Sequence, residues 1–127
     1  MVLFDANAIL RYILQDDTEM VNSVEQQLST SFCYIPVEVL AEVVYVLSKV
    51  YNTDRNIISQ IVIDITNTDK IIVAQHNVVL HALRVYATTT LDFVDCLLTG
   101  YAKENKYTIF TFDKKLKKYL KENIDNN

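Results

Sequence analysis

The sequence predicts an α/β fold of three layers: a four- to five-stranded parallel sheet covered by helices on both faces. Three observations carry that prediction. Short apolar, β-branched runs alternate with longer stretches whose apolar residues recur at helical spacing, as strands joined by helical crossovers do. One Gly and one Pro in 127 residues fall far below the usual share of roughly 7% and 5%, which favours long helices over an all-β chain of tight turns. Half the residues are hydrophobic and 22% are charged, so the chain can bury a single core as one domain, residues 1–127.

Met1–Phe4 is a short apolar run ending at Asp5 and reads as a buried strand. Ala6–Leu14 places Ile9, Leu10, Ile13 and Leu14 on one helical face. Asp16, Asp17 and Thr18 break that helix and offer a cap for the next, which aligns Met20, Val21, Val24 and Leu28. Phe32–Ile35 is a strand, and Pro36 suits the first turn of a helix from Val37 to about Tyr51. Asp54 caps a helix bearing Ile57, Ile58, Ile61, Val62 and Ile65, and Lys70–Ala74 holds a third strand. Asn77–Ala87 is helical, Thr88–Thr90 punctuates, and a further helix runs from about Asp92 to Asn105. Tyr107–Phe112 reads as the last strand, Asp113 opens a basic terminal helix, and Asn123–Asn127 is expected to fray.

A net charge of −4 argues against a general nucleic-acid binder. Its distribution says more than its total: residues 1–102 carry net −7 and residues 103–127 net +3. The basic end can face phosphates or form a solvated helix face. No apolar run reaches the 18 or more residues of a membrane span and no signal-peptide pattern precedes Asp5, so a cytoplasmic protein without membrane attachment is expected. Cys33 and Cys96 fit neither a zinc spacing nor a disulfide framework and read as buried, reduced thiols.

Four acids sit in apolar sequence, where an ionised carboxylate is costly unless paired, hydrogen-bonded or bound to a cation. They are Asp5 in VLFDANAIL, Glu42 in VLAEVVYVL, Asp95 in LDFVDCLL and Asp113 in TIFTFDKKL. Taken singly, each has a plain structural role: Asp5 and Asp113 as helix N-caps, Asp95 in a capping arrangement with Asp92, Glu42 on a solvated face with Glu38 and Lys49. Taken jointly they suggest one site. Asp5 and Asp113 end strands, where open α/β sheets build their sites, and Glu42 and Asp95 lie near helix starts, which favour negative charge. Two carboxylates ~5 Å apart at an effective dielectric of ~20 repel by about 3 kcal/mol. A divalent cation removes that cost. Oxygen donors without His or Cys point to Mg²⁺ or Mn²⁺, and such an ion suits phosphoryl chemistry.

At these residues the chain resembles a PIN-domain ribonuclease, and within that family a VapC-type toxin of a toxin–antitoxin pair. FDANAILRYILQDD resembles the family's first motif, VLAEVVYVL the second, and LDFVDCLL and TFD the third and fourth. The resemblance covers essentially the whole chain and implies a PIN-like fold and an endoribonuclease hydrolysing RNA by metal-activated water, leaving 5′-phosphate and 3′-hydroxyl ends. It implies Asp5 and Asp95 as direct metal ligands, Glu42 completing the site or positioning the attacking water, and Asp113 holding a second ion or an outer water. Asn7 and Thr111 would be supporting polar groups. Asp92 adds a fifth carboxylate, and Ala6 stands where the family often has Thr. The resemblance also implies a homodimer and a cognate antitoxin seated on an apolar groove. Arg11, Lys49, Lys114 and Lys115 are the candidate RNA contacts. His76 and His81 lie away from the motifs and receive no role.

Two alternatives remain beside this reading. A Mg²⁺-dependent α/β phosphatase would need a second Asp two residues after the first, where this chain has Asn7. A catalytically silent PIN-like module that binds RNA or protein would have little use for intact acids.

Overall fold

In the computed structural model, which describes residues 1–125, contacts divide the chain into two units, Met1–Ala74 and the part from Gln75 onward. In the first, β1 (Val2–Leu3), β2 (Cys33–Ile35) and β3 (Ile71–Val73) form a parallel sheet in the order β1-β2-β3. Val2 lies opposite Cys33, and Cys33 opposite Ile71. Parallel neighbours need long crossovers, and each crossover is a helical pair. The first pair is α1 (Ala6–Leu14) and α2 (Thr18–Thr30), and the second is α3 (Val37–Lys49) and α4 (Arg55–Thr66).

The helices form where apolar spacing and start signals agree. Asp17 accepts from the Met20 amide at 3.0 Å and so caps α2. Pro36 precedes α3 with φ −64°, the value its ring imposes anyway. Asp54 holds the cap position of α4 but makes no side-chain cap bond, so its expected capping is positional only. Ile9 and Leu10 of α1, Leu40, Val43, Val44 and Leu47 of α3, and Ile58 and Val62 of α4 are all buried with Cys33 and Ile35 of β2. Each such side chain contributes about 1.5–3 kcal/mol when fully removed from water.

In the second unit, α5 (His76–Thr88) and α6 (Phe93–Asn105) pack side by side. Tyr86 meets Phe93 edge-to-face at 5.8 Å between ring centroids. At the opposite ends Gly100 lies against Val78, so the two helices run antiparallel. Burial of Val78, Val79, Ala82, Leu83 and Tyr86 against Phe93, Cys96, Leu97 and Gly100 follows the 3.6-residue period on both. A terminal helix α7 (Lys114–Asn123) buries Leu116 and Leu120 and exposes its lysines.

The structure corrects the strand count. Three strands occur among the described residues, where four to five were expected, and Tyr107–Phe112 is not one of them. That run has the apolar, aromatic content of a strand, but content alone does not make one: a ladder partner must pair with its backbone. Phe110 and Phe112 are instead 86% and 83% exposed and rest on one another edge-to-face. At the chain end α7 remains helical to Asn123; the rest of the expected fraying, at residues 126–127, lies outside the described residues.

Candidate active site

Asp5 and Asp113 each sit at the head of a helix that they cap. Asp5 Oδ1 accepts from the Ala8 amide at 2.8 Å, and Asp113 Oδ1 accepts from the Leu116 amide at 2.8 Å. The simple structural role of both residues is therefore real. It uses one oxygen of each carboxylate and leaves Oδ2 without a protein donor among the described residues. Asp113 is further fixed from behind: its own amide donates to Thr111 Oγ1 at 3.0 Å. Thr111 thus holds the backbone at Asp113, and Asn7 is exposed in the first turn of α1.

In the second unit Asp95 lies half-buried in the first turn of α6, whose N-cap is Asp92. Burial pushes the Asp95 carboxyl above the usual carboxylate range, the charges of Asp113 and Asp92 push it further, and only Lys115 pulls it back. The structure therefore brings Asp92 and Asp113 each within electrostatic reach of Asp95, which makes Asp92 a participant in this acidic cluster. In the first unit Asp5 and Glu42 are both exposed. Glu42 takes its plain structural place on a solvated helix face with Glu38 and Lys49. Its apolar sequence neighbours turn inward at Leu40, Val43, Val44 and Leu47, while Glu38, Glu42, Tyr45 and Lys49 share the exposed side.

Among the described residues no group of three or more His, Cys, Asp or Glu side chains stands as a ready-made metal cage. The chemistry of the donors nonetheless suits a hard cation. Within the second unit they are oxygen only, Oδ2 of Asp113 has no protein donor among the described residues, and the repulsion on Asp95 is the kind that a divalent ion relieves.

The candidate RNA contacts separate. Arg11 is engaged within its own unit, with Asp16 at 2.8 Å and the Tyr51 hydroxyl at 3.4 Å. Lys49 and Lys114 are exposed. Lys115 Nζ donates to the Thr90 carbonyl at 3.2 Å and stands beside the acidic cluster. Sequence reasoning assigned no RNA contact to the neighbours of Lys115 on α7, Lys118 and Tyr119, which line a cleft with Thr89–Leu91. Their spacing of three and four residues from Lys115 was the available signal. Cys33 and Cys96 are buried, reduced thiols, as expected, and burial pushes Cys33 up to about 11. No described helix is long and apolar enough to cross a membrane.

Comparison with known proteins adds two findings. The model of the PIN domain family matches residues 2–122. The chain is also similar to the VapC ribonuclease of Aquifex aeolicus (strain VF5), with 30% identity over 109 residues, 82% of this chain and 80% of that protein. No solved structure matches it significantly.

Proposed function

This chain belongs to the PIN-domain family and within it to the VapC-type ribonucleases, and from that membership we propose a Mg²⁺- or Mn²⁺-dependent endoribonuclease, the toxin of a VapBC-type pair. The observation that best supports a metal-dependent reaction is the state of Asp95, a half-buried carboxylate opposed by two others and relieved by one lysine. Asp5, Glu42, Asp95 and Asp113 would hold the ion, with Asp92 and Thr111 behind them. When bound, such an ion neutralises charge on the scissile phosphate and lowers the pKa of a coordinated water.

The protein's own groups do the rest. The α7 N-terminus and Thr111 hold Asp113 at two points, so its free oxygen is positioned without cost at the moment of reaction. Lys115 places a positive charge beside Asp95, suited to a neighbouring phosphate. The products would carry 5′-phosphate and 3′-hydroxyl ends. A homodimer, a cognate antitoxin partner, a cytoplasmic location and a single PIN domain over residues 1–127 belong to the same proposal.

The test uses purified full-length protein and single-stranded RNA. Cleavage should require Mg²⁺ or Mn²⁺, stop with chelator, and be lost in Asp5→Ala and in Asp95→Ala. Cleavage indifferent to chelator, or surviving both substitutions, rules the mechanism out.

A further inference from the structure

We propose that the cleft between Thr89–Leu91 and helix α7 is a subsite for single-stranded RNA, with backbone phosphate on Lys115 and Lys118 and a base or ribose against Tyr119. The proposal rests on the ribonuclease reading and specifies where the strand runs. The cleft is an open groove of about 360 Å³ within the second unit, a size in the usual range of ligand sites. Lys115, Lys118, Tyr119 and Glu122 recur at i, i+3, i+4 and i+7 and so form one face of α7. Leu116 and Leu120, both buried, anchor the helix beneath that face.

The cleft adjoins the acidic cluster through two covalent and electrostatic links. Its wall Thr89–Leu91 runs directly into Asp92. Its Lys115 ties that wall to α7 through the Thr90 carbonyl and is the cation that acts on Asp95 among the described residues. A strand held there has its neighbouring phosphate next to the carboxylates.

Charge and shape select the occupant. Residues 1–102 carry net −7, while α7 alone carries five lysines against Glu122, so a polyanion is drawn to this helix. The half-buried ring of Tyr119 offers apolar surface beside the lysines, over the buried Leu91. A duplex keeps its bases stacked inside, whereas an unpaired strand can lay a base on an aromatic ring and its phosphates on flanking cations. Glu122 at the far end repels phosphate and limits the subsite to the stretch beside the cluster.

The experiment measures binding of a fluorescently labelled single-stranded RNA octamer by anisotropy in EDTA, with cleavage of the same RNA in Mg²⁺ assayed in parallel. Lys118 is exposed, so its substitutions leave folding intact. Tyr119→Leu keeps apolar bulk while removing the ring. Lys118→Glu and Tyr119→Leu should each weaken binding about fivefold or more. Lys118→Ala should lower the slope of log affinity against log salt by about 0.7, and Lys121→Ala, on α7 outside the cleft, should change affinity less than about twofold. Unchanged binding in the Lys118 and Tyr119 variants overturns the proposal and leaves the cleft to another occupant such as a protein segment. Equal losses for Lys118→Ala and Lys121→Ala overturn it too, because diffuse charge then suffices. RNA bound through the cleft but never cut sinks the ribonuclease reading while the subsite stands. Cutting by the wild type with cleft variants binding normally sinks the subsite alone.

Discussion

The carboxylate of Asp113, at the head of α7, raises the proton affinity of Asp95 on α6. Burial of Asp95 acts in the same direction and more strongly, and Asp92 adds to it. A carboxyl held above its ordinary range in the folded state favours folding when neutral. Its contribution is fully present below the ordinary value and lost as pH rises through the folded one. At neutral pH the ion-free protein therefore carries a repulsion that Asp95→Asn removes. That variant should melt higher than the wild type in chelator at pH 7, by on the order of 1–3 °C since solvent still screens a half-buried carboxylate. The gain should vanish near about pH 3, where both forms are neutral. Cleavage by the same variant should fall about a hundredfold or more, since even groups that only support a ligand cost up to that much. A melting point unchanged or lowered at pH 7 contradicts the repulsion.

Asp5 serves as a cap through Oδ1 and, in the proposed reaction, as a ligand. Two substitutions separate these roles. Asn caps helices as well as Asp does, whereas Ala does not. Asp5→Ala should lose about 1 kcal/mol of unfolding free energy in denaturant titration, and Asp5→Asn only a few tenths. Both should lose cleavage. Activity retained in Asp5→Asn would reduce this residue to its cap.

What the sequence revealed of the fold was chiefly what is local. Helical spacing placed α1 to α7 within a few residues of their observed ends because a helix makes its own hydrogen bonds. Tyr107–Phe112 failed for the converse reason, since a strand needs a partner that its own residues do not specify. Glu42 misled because adjacency in sequence is not adjacency on a helix: residues before and after it point a hundred degrees apart. Of the acids, Asp95 did prove an awkward carboxylate, while Asp5, Glu42 and Asp113 are exposed. Lys118 and Tyr119 received no RNA contact, because a cleft wall requires a second segment, Thr89–Leu91, brought from elsewhere in the chain.

The single glycine sits where a side chain would collide, not where the backbone turns left-handed. A Cβ on Gly100 would stand 2.6 Å from the Val78 carbonyl oxygen and 3.0 Å from Val78 Cγ1. The left-handed positions are held instead by Gln15, Asn52, Lys70, Gln75 and Lys106, with φ between 51° and 67°. Gly100→Ala gains about 1 kcal/mol of helix propensity but must part α5 from α6 against a backbone atom, at a cost of about 1–3 kcal/mol. A lowered melting temperature is expected. Lys106→Gly, which relieves a left-handed residue at the end of α6, should raise it by the equivalent of about 1 kcal/mol. A gain on Gly100→Ala would show that the two helices are not in that contact.

A cation that binds only the folded protein stabilises it by RT ln(1 + [L]/Kd), about 2.7 kcal/mol at a hundredfold excess over Kd. Mg²⁺ or Mn²⁺ should therefore raise the melting temperature of the wild type by several degrees, and EDTA should return it to the starting value. The dependence separates site binding from bulk ionic effects: matched ionic strength in NaCl should not reproduce it, because screening of exposed charges saturates. Asp95→Asn should start higher in chelator and gain little from the divalent ion, so that the two melting curves converge as ion is added. That crossover ties the repulsion on Asp95 to the ion that relieves it. Parallel gains in wild type and Asp95→Asn would place the bound ion away from Asp95, and with it the chemistry proposed for this cluster.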